Sequence, residues 1–190
     1  MSDRLDLLDY RRRVTALYTE ARAAGSGEEG WRRWVATRDE LFRTHPQTPL
    51  DDAASFIGLP YFAYDPSWRT VGRFHPEDTA PWGEFERIGT LSFDVRGQTA
   101  TLPVFWLTAY GGGIFLPFRD QSNGGTTYGG GRYLLDTVKG ADLGHDEDGV
   151  ILDFNYAYHP SCVHSDRWVC PLAPPGSDLA FAVTAGERLP

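Results

Sequence analysis

Cysteine is scarce in this sequence, with two residues in 190. The opening Met1-Ser2-Asp3-Arg4-Leu5-Asp6 lacks a basic segment followed by an apolar one, so no secretory signal is visible. No apolar run approaches the roughly 20 residues that span a bilayer. The longest, Leu102 to Tyr110, is broken by Pro103 and Thr108. Positive charge is also in deficit. A formal net charge of −8 and a pI near 5.0 repel polyanions and anionic lipid surfaces, so neither nucleic acid nor membrane is an expected partner. The expectation is a cytoplasmic protein with free thiols, although Cys162 and Cys170 are close enough to meet across a short loop.

Further absences narrow the chemistry. No GxxxxGK[ST] or GxGxxG stands between a strand and a helix, which removes the nucleotide-loop reading. No G-x-S-x-G elbow supports Ser-His-Asp hydrolysis. His145-Asp146-Glu147-Asp148-Gly149 lacks the alternating oxygen ligands of a calcium loop and reads as an exposed acidic turn. There is no internal repeat and no low-complexity tract.

What is present divides in two. Leu7, Tyr10, Val14, Leu17, Tyr18 and Ala21 recur at spacings of three and four, predicting a helix capped by Ser2 or Asp3 and ended by Gly25-Ser26-Gly27. Trp31, Trp34, Val35, Arg38, Leu41 and Phe42 predict a second helix that stops before His45-Pro46. Arg11, Arg12, Arg13, Arg32 and Arg33 read as solvated helix faces. From Tyr61 the pattern changes to strands between Gly, Pro, Asn and Asp punctuation: 69–74, 85–95, 99–108, 113–118, 132–138, 150–155 and 180–184. Arg96-Gly97-Gln98 reads as a hairpin turn, and Asn123-Gly124 suits positive φ angles. Such short connections cannot hold crossover helices, so the sheet should be antiparallel and curled into a barrel. The fold class is therefore α+β: an N-terminal helical hairpin on a mostly antiparallel, β-barrel-like sheet. Residues 1–60 and 61–190 would form one compact unit.

Chemistry-bearing residues concentrate between Phe115 and Leu172. Gly111–Gly113, Gly124-Gly125 and Gly129–Gly131 read as turns beside the strands. Arg119 and Arg132 could pair with Asp120 or Asp153, or present a guanidinium fork to a carboxylate or phosphate. Asp153 and Asn155 share one face of a strand end and need partners. Three readings compete for the following loop. Cys162 is a nucleophile activated by His159; or His159, Cys162, His164 and Cys170 bind zinc; or the thiols and imidazoles are structural.

Phe115-Leu116-Pro117-Phe118-Arg119-Asp120, Thr127-Tyr128, Gly131-Arg132-Tyr133-Leu134, Asp153-Phe154-Asn155, Ala157-Tyr158-His159-Pro160-Ser161-Cys162 and Cys170-Pro171-Leu172 resemble a large, mainly bacterial family. That family is known only as a domain of unknown function, one of the DUF series. Its pattern runs F-x-P-F-[RK]-D, T-Y, G-R-Y-L, D-F-N-x-A-Y-N-P-x-C and C-P-x-P-P. The resemblance implies membership without an activity. The family has Asn at the position of His159 and an aromatic at His164, so the resemblance places no shared mechanism on either histidine. Architecture alone also suggests similarity to flavin-binding split barrels.

The resulting expectation is a polar pocket at one barrel end that binds, and in one version transforms, a small anionic molecule. Arg119, Asp120, Arg132, Asn155 and Cys162 would bind it; Asp153 would be the general base, and Tyr128 or Tyr158 the proton donor. No metal is assigned, the cofactor is open, and self-association is open. The alternative is a non-catalytic binding module, with flavin as one ligand.

Overall fold

A computed structural model describes residues 3–190. Ser2, one of the two expected caps, lies outside the described residues. Helix α1 covers Asp3–Ala24 and α2 covers Glu28–Thr44. Gly25 ends α1 at φ 68°, the left-handed conformation that glycine adopts without a Cβ penalty. Helix α2 ends where His45, the residue before Pro46, turns to extended φ/ψ. Arg13–Asp9, Arg32–Glu28 and Arg33–Glu29 pair one turn apart on solvated surfaces. No helix among the described residues is long and apolar enough to cross a membrane.

Six strands follow: β1 (Arg69–Trp82), β2 (Phe85–Val95), β3 (Gln98–Leu107), β4 (Ile114–Phe118), β5 (Arg132–Asp136) and β6 (Val150–Asp153). They form one antiparallel sheet in the order β5-β4-β3-β2-β1-β6. Arg96 and Gly97, at φ 51° and 74°, make the tight β2–β3 turn. Strand β1 divides its pairing. Residues 69–72 pair with β6, and the 73–82 arm pairs only with β2. That free edge accommodates Pro76 and Pro81, which have no N–H to donate. Beyond β6, Tyr158 exchanges backbone hydrogen bonds of 2.9 and 3.1 Å with Tyr133 of β5, so the sheet nearly closes into a barrel.

Leu91, Phe93, Leu102, Leu116, Phe118, Leu152 and Phe154 fill the barrel interior. A second cluster binds the helical hairpin outside it: Leu17, Tyr18, Ala21, Trp31 and Trp34 against Ala141, Leu143 and Tyr156. The Trp34 ring meets Tyr18, Tyr61 and Tyr156 edge-on, and Trp31 Nε1 donates to the Asn155 carbonyl at 2.9 Å.

The expected strand over 180–184 is absent. This segment satisfies its backbone through side chains instead of a ladder. Val183 N–H donates to Asp120 Oδ1 at 3.1 Å, Arg132 donates to the Val183 carbonyl at 2.9 Å, and Gln121 donates to the Ala180 carbonyl at 2.7 Å. The expected strand ends at 137–138 and 154–155 are 3₁₀ turns, 137–139 and 154–156.

Candidate functional site

A cavity of about 310 Å³ opens where the helical hairpin meets the barrel's closing seam. Helix α1 contributes Tyr10, Leu17 and Tyr18; α2 contributes Arg38, Leu41 and Phe42. The barrel side supplies Tyr133, Ala141 and Tyr158, and the 159–171 loop completes the wall with His159, Trp168 and Cys170. The charged lining residues are Arg11, Arg38 and Lys139, and no Asp or Glu joins them.

Arg38 is the buried charge. It occupies a position on the apolar stripe of α2, so helical periodicity turns it inward with Trp34 and Leu41. Arg38 Nη2 lies 2.8 Å from Glu187 Oε2, its Nη1 donates to the Tyr61 hydroxyl, and its guanidinium sits over the Trp34, Phe42 and Tyr158 rings. Both side chains are almost fully enclosed, at 8% and 1% exposure. Burial disfavours each charge, but the pair prevails: Arg38 is held above its usual pKa and Glu187 well below its own.

Glu187 also gathers the loop. The His159 N–H donates to Oε2 at 3.1 Å, and Oε1 faces His159 Nδ1 at 3.5 Å and His164 Nε2 at 3.4 Å. His159 Nε2 accepts the Tyr128 backbone N–H at 3.2 Å. The neutral ring therefore carries its proton on Nδ1, toward Glu187, and Nε2 has no lone pair left for base catalysis.

Tyr158 stands apart. Its hydroxyl is buried and has no hydrogen-bond partner among the described residues, although the side chain lines the cavity. Burial raises its pKa well above the usual value, so the hydroxyl stays a donor.

The other residues expected in the pocket lie elsewhere. Arg132 and Asp120 form a fully enclosed ion pair at 2.8 Å. Arg132 also donates to the carbonyls of Val183, Ala185 and Glu187, while Asp120 Oδ1 accepts Ser122 N–H and Val183 N–H. Arg119 forms a two-pronged pair with Asp178, at 2.9 and 3.1 Å, on the surface. Asp153 Oδ1 accepts both the backbone N–H and side-chain N–H of Asn155, at 3.0 and 2.8 Å. Asn155 in turn exchanges side-chain hydrogen bonds with the Asp65 backbone at 3.1 and 2.9 Å. Burial raises the Asp153 pKa; Arg69, at 3.6 Å, opposes this only weakly. The expected set thus separates into a clamp on the C-terminal segment, a surface pair and a loop staple. Of these residues only Tyr158 lines the cavity.

Cys162 and Cys170 are free and half-buried. Burial, then the adjacent Cys170, raises the Cys162 pKa, which opposes thiolate formation. Tyr128 packs beside Cys162, and its phenol is also pushed up by burial. Among the described residues no group of three or more His, Cys, Asp and Glu side chains is arranged to hold a metal ion.

Residues 54–188 match the family described as "Protein of unknown function (DUF1684)". The chain belongs to this family. No curated protein matches it. The chain is similar to the solution NMR structure of the uncharacterized protein from gene locus rrnAC0354 of Haloarcula marismortui, at 34% identity and a TM-score of 0.60. The likeness covers 82% of this chain and 90% of that one. Within the DUF1684 match lie all six strands, Tyr158 and Glu187; α1, α2 and Arg38 precede it. One wall of the cavity is therefore built outside the matched region.

Proposed function

We propose that this DUF1684 protein binds a small anionic molecule in the cavity between the helical hairpin and the barrel seam. The observation that carries this reading is the sign of the lining charge: Arg11, Arg38 and Lys139 border the cavity and, among the described residues, no Asp or Glu does. The cavity volume of about 310 Å³ sits at the lower end of ligand pockets. Binding is the whole of this proposal, because His159 lacks a free nitrogen lone pair and Cys162 is disfavoured as a thiolate.

Thermal unfolding with a panel of small carboxylates, neutral amides and amines tests it. A ligand at a hundred times its Kd stabilises by about 2.7 kcal/mol, which raises Tm by roughly 5–11 °C for a chain of this size. Carboxylates should produce that shift and the neutral and cationic analogues should not. Leu17→Trp, which fills the cavity from α1, should abolish it. No shift with any carboxylate, or an equal shift in the filled variant, would sink the reading.

A further inference from the structure

We propose that Cys162 and Cys170 are a redox-active thiol pair that closes reversibly into a disulfide across one wall of the cavity. They would do so whether or not the cavity holds an anion. These are the two cysteines of the sequence, and both are free and half-buried. A free cysteine that serves only as packing is usually among the most buried residues of a core. Here the fold brings both to the segment 128–133. His159 Nε2 accepts the Tyr128 N–H at 3.2 Å, which places the following 3₁₀ turn, Ser161–Val163, and with it Cys162. The Tyr133 hydroxyl donates to the Pro171 carbonyl at 2.6 Å, and the Ala173 N–H donates to the Gly130 carbonyl at 3.3 Å, which places Cys170. The two thiols are adjacent, and the Tyr128 phenol lies beside Cys162. Between them the loop is anchored on the segment after α2. Trp168 Nε1 donates to the Pro49 carbonyl at 3.2 Å, and Arg167 donates to the Leu50 carbonyl at 3.3 Å. The ends of the loop are thus already together, which is the geometric condition for a bridge.

Cys170 lines the cavity and Cys162 does not, so a solute in the cavity meets Cys170 first. Burial also opposes the Cys162 thiolate, which leaves Cys170 as the attacking thiol. The oxidant is a small disulfide. The Cys170 thiolate attacks one of its sulfurs, breaks its S–S bond, releases one thiolate and forms a mixed disulfide. Cys162 then gives its proton to water and attacks the Cys170 sulfur, expelling the second thiolate. Two protein thiols are oxidised to one disulfide, and the small disulfide is reduced to two thiols. The loop 162–170 carries Trp168 and Val169, both of which line the cavity, so the bridge fixes that wall.

Incubation of the folded full chain with oxidised glutathione, followed by alkylation of remaining thiols and peptide mass spectrometry, tests the pair. Trypsin cuts after Arg167, between the two cysteines, so a bridge leaves peptides 140–167 and 168–188 joined. The expected product is this linked pair in a monomer two hydrogens lighter, restored to free thiols by dithiothreitol. Cys162→Ser should stop at a stable glutathione adduct on Cys170. Cys170→Ser, which removes the attacking thiol, should take up glutathione at least about tenfold more slowly than Cys162→Ser. Equal or faster uptake by Cys170→Ser would overturn the order of attack. Lasting glutathione adducts on both cysteines of the unaltered chain, or linkage only between copies, would overturn the pair. So would thiols that react in urea and stay inert in the folded protein, since they would then be packing alone.

Discussion

At the residue scale, the Arg38–Glu187 pair joins three parts of the chain that are distant in sequence: α2, the 159–164 loop and the C-terminal segment. Its charge state makes a prediction about pH. Burial pushes the Glu187 carboxyl up, but Arg38 and the two imidazoles facing it hold it well below the ordinary value. The folded pKa is thus lower than the unfolded one, about 4.3. The stability Glu187 contributes is complete above pH about 4.3 and is lost as pH falls toward the folded value. Urea unfolding of Glu187→Gln should therefore show a deficit at pH 7 that shrinks steadily below pH about 4. A deficit that stays constant from pH 7 to pH 3 would contradict the assignment. The sequence held a partial signal for this pair: Arg38 sits on an otherwise apolar helical stripe. Nothing in its local sequence marks Glu187 as a buried partner of α2.

At the scale of elements, the segment 180–187 shows where strand propensity stops being informative. Ala180-Phe181-Ala182-Val183-Thr184 has a strand's composition, but its neighbours are the side chains of Asp120, Gln121 and Arg132. A guanidinium that reaches three carbonyls does the work of a ladder. Gly186, at φ 75°, passes so close that a Cβ would stand 2.6 Å from the Ala157 carbonyl oxygen. Arg132→Met should accordingly cost about 3–5 kcal/mol, because it leaves the Asp120 carboxylate buried and unpaired. Asp153→Asn should cost less than about 1 kcal/mol, because an amide oxygen keeps both hydrogen bonds from Asn155. Denaturant unfolding of the two variants separates them; equal losses would mean that Asp153 and Arg132 belong to one network after all. The sheet was more legible than this segment. Alternation and turn residues such as Arg96-Gly97 are local signals, and β2 to β6 follow them closely, whereas β1 runs to Trp82, well past its expected end at residue 74. Which acidic residue meets which arginine is a matter of tertiary geometry, and Arg119, Arg132 and Asp153 each found a different partner.

At the scale of the whole molecule, the helical hairpin and the barrel create together what neither holds alone. The barrel interior is filled by Leu116, Phe118, Leu152 and Phe154, leaving the space outside the seam, under Tyr18 and Arg38. The aromatics of α1 that sequence periodicity assigns to simple packing are also a cavity wall. Tyr158 links the two layers: its backbone closes the barrel against Tyr133 and its side chain lines the space. The most direct measurement is a crystal structure of the protein soaked with small carboxylates. The account predicts an ordered carboxylate-bearing molecule in this cavity, with its anion beside Arg11 or Lys139. An empty cavity, with the anion instead ordered on Arg119 or beside Asp153, would contradict it.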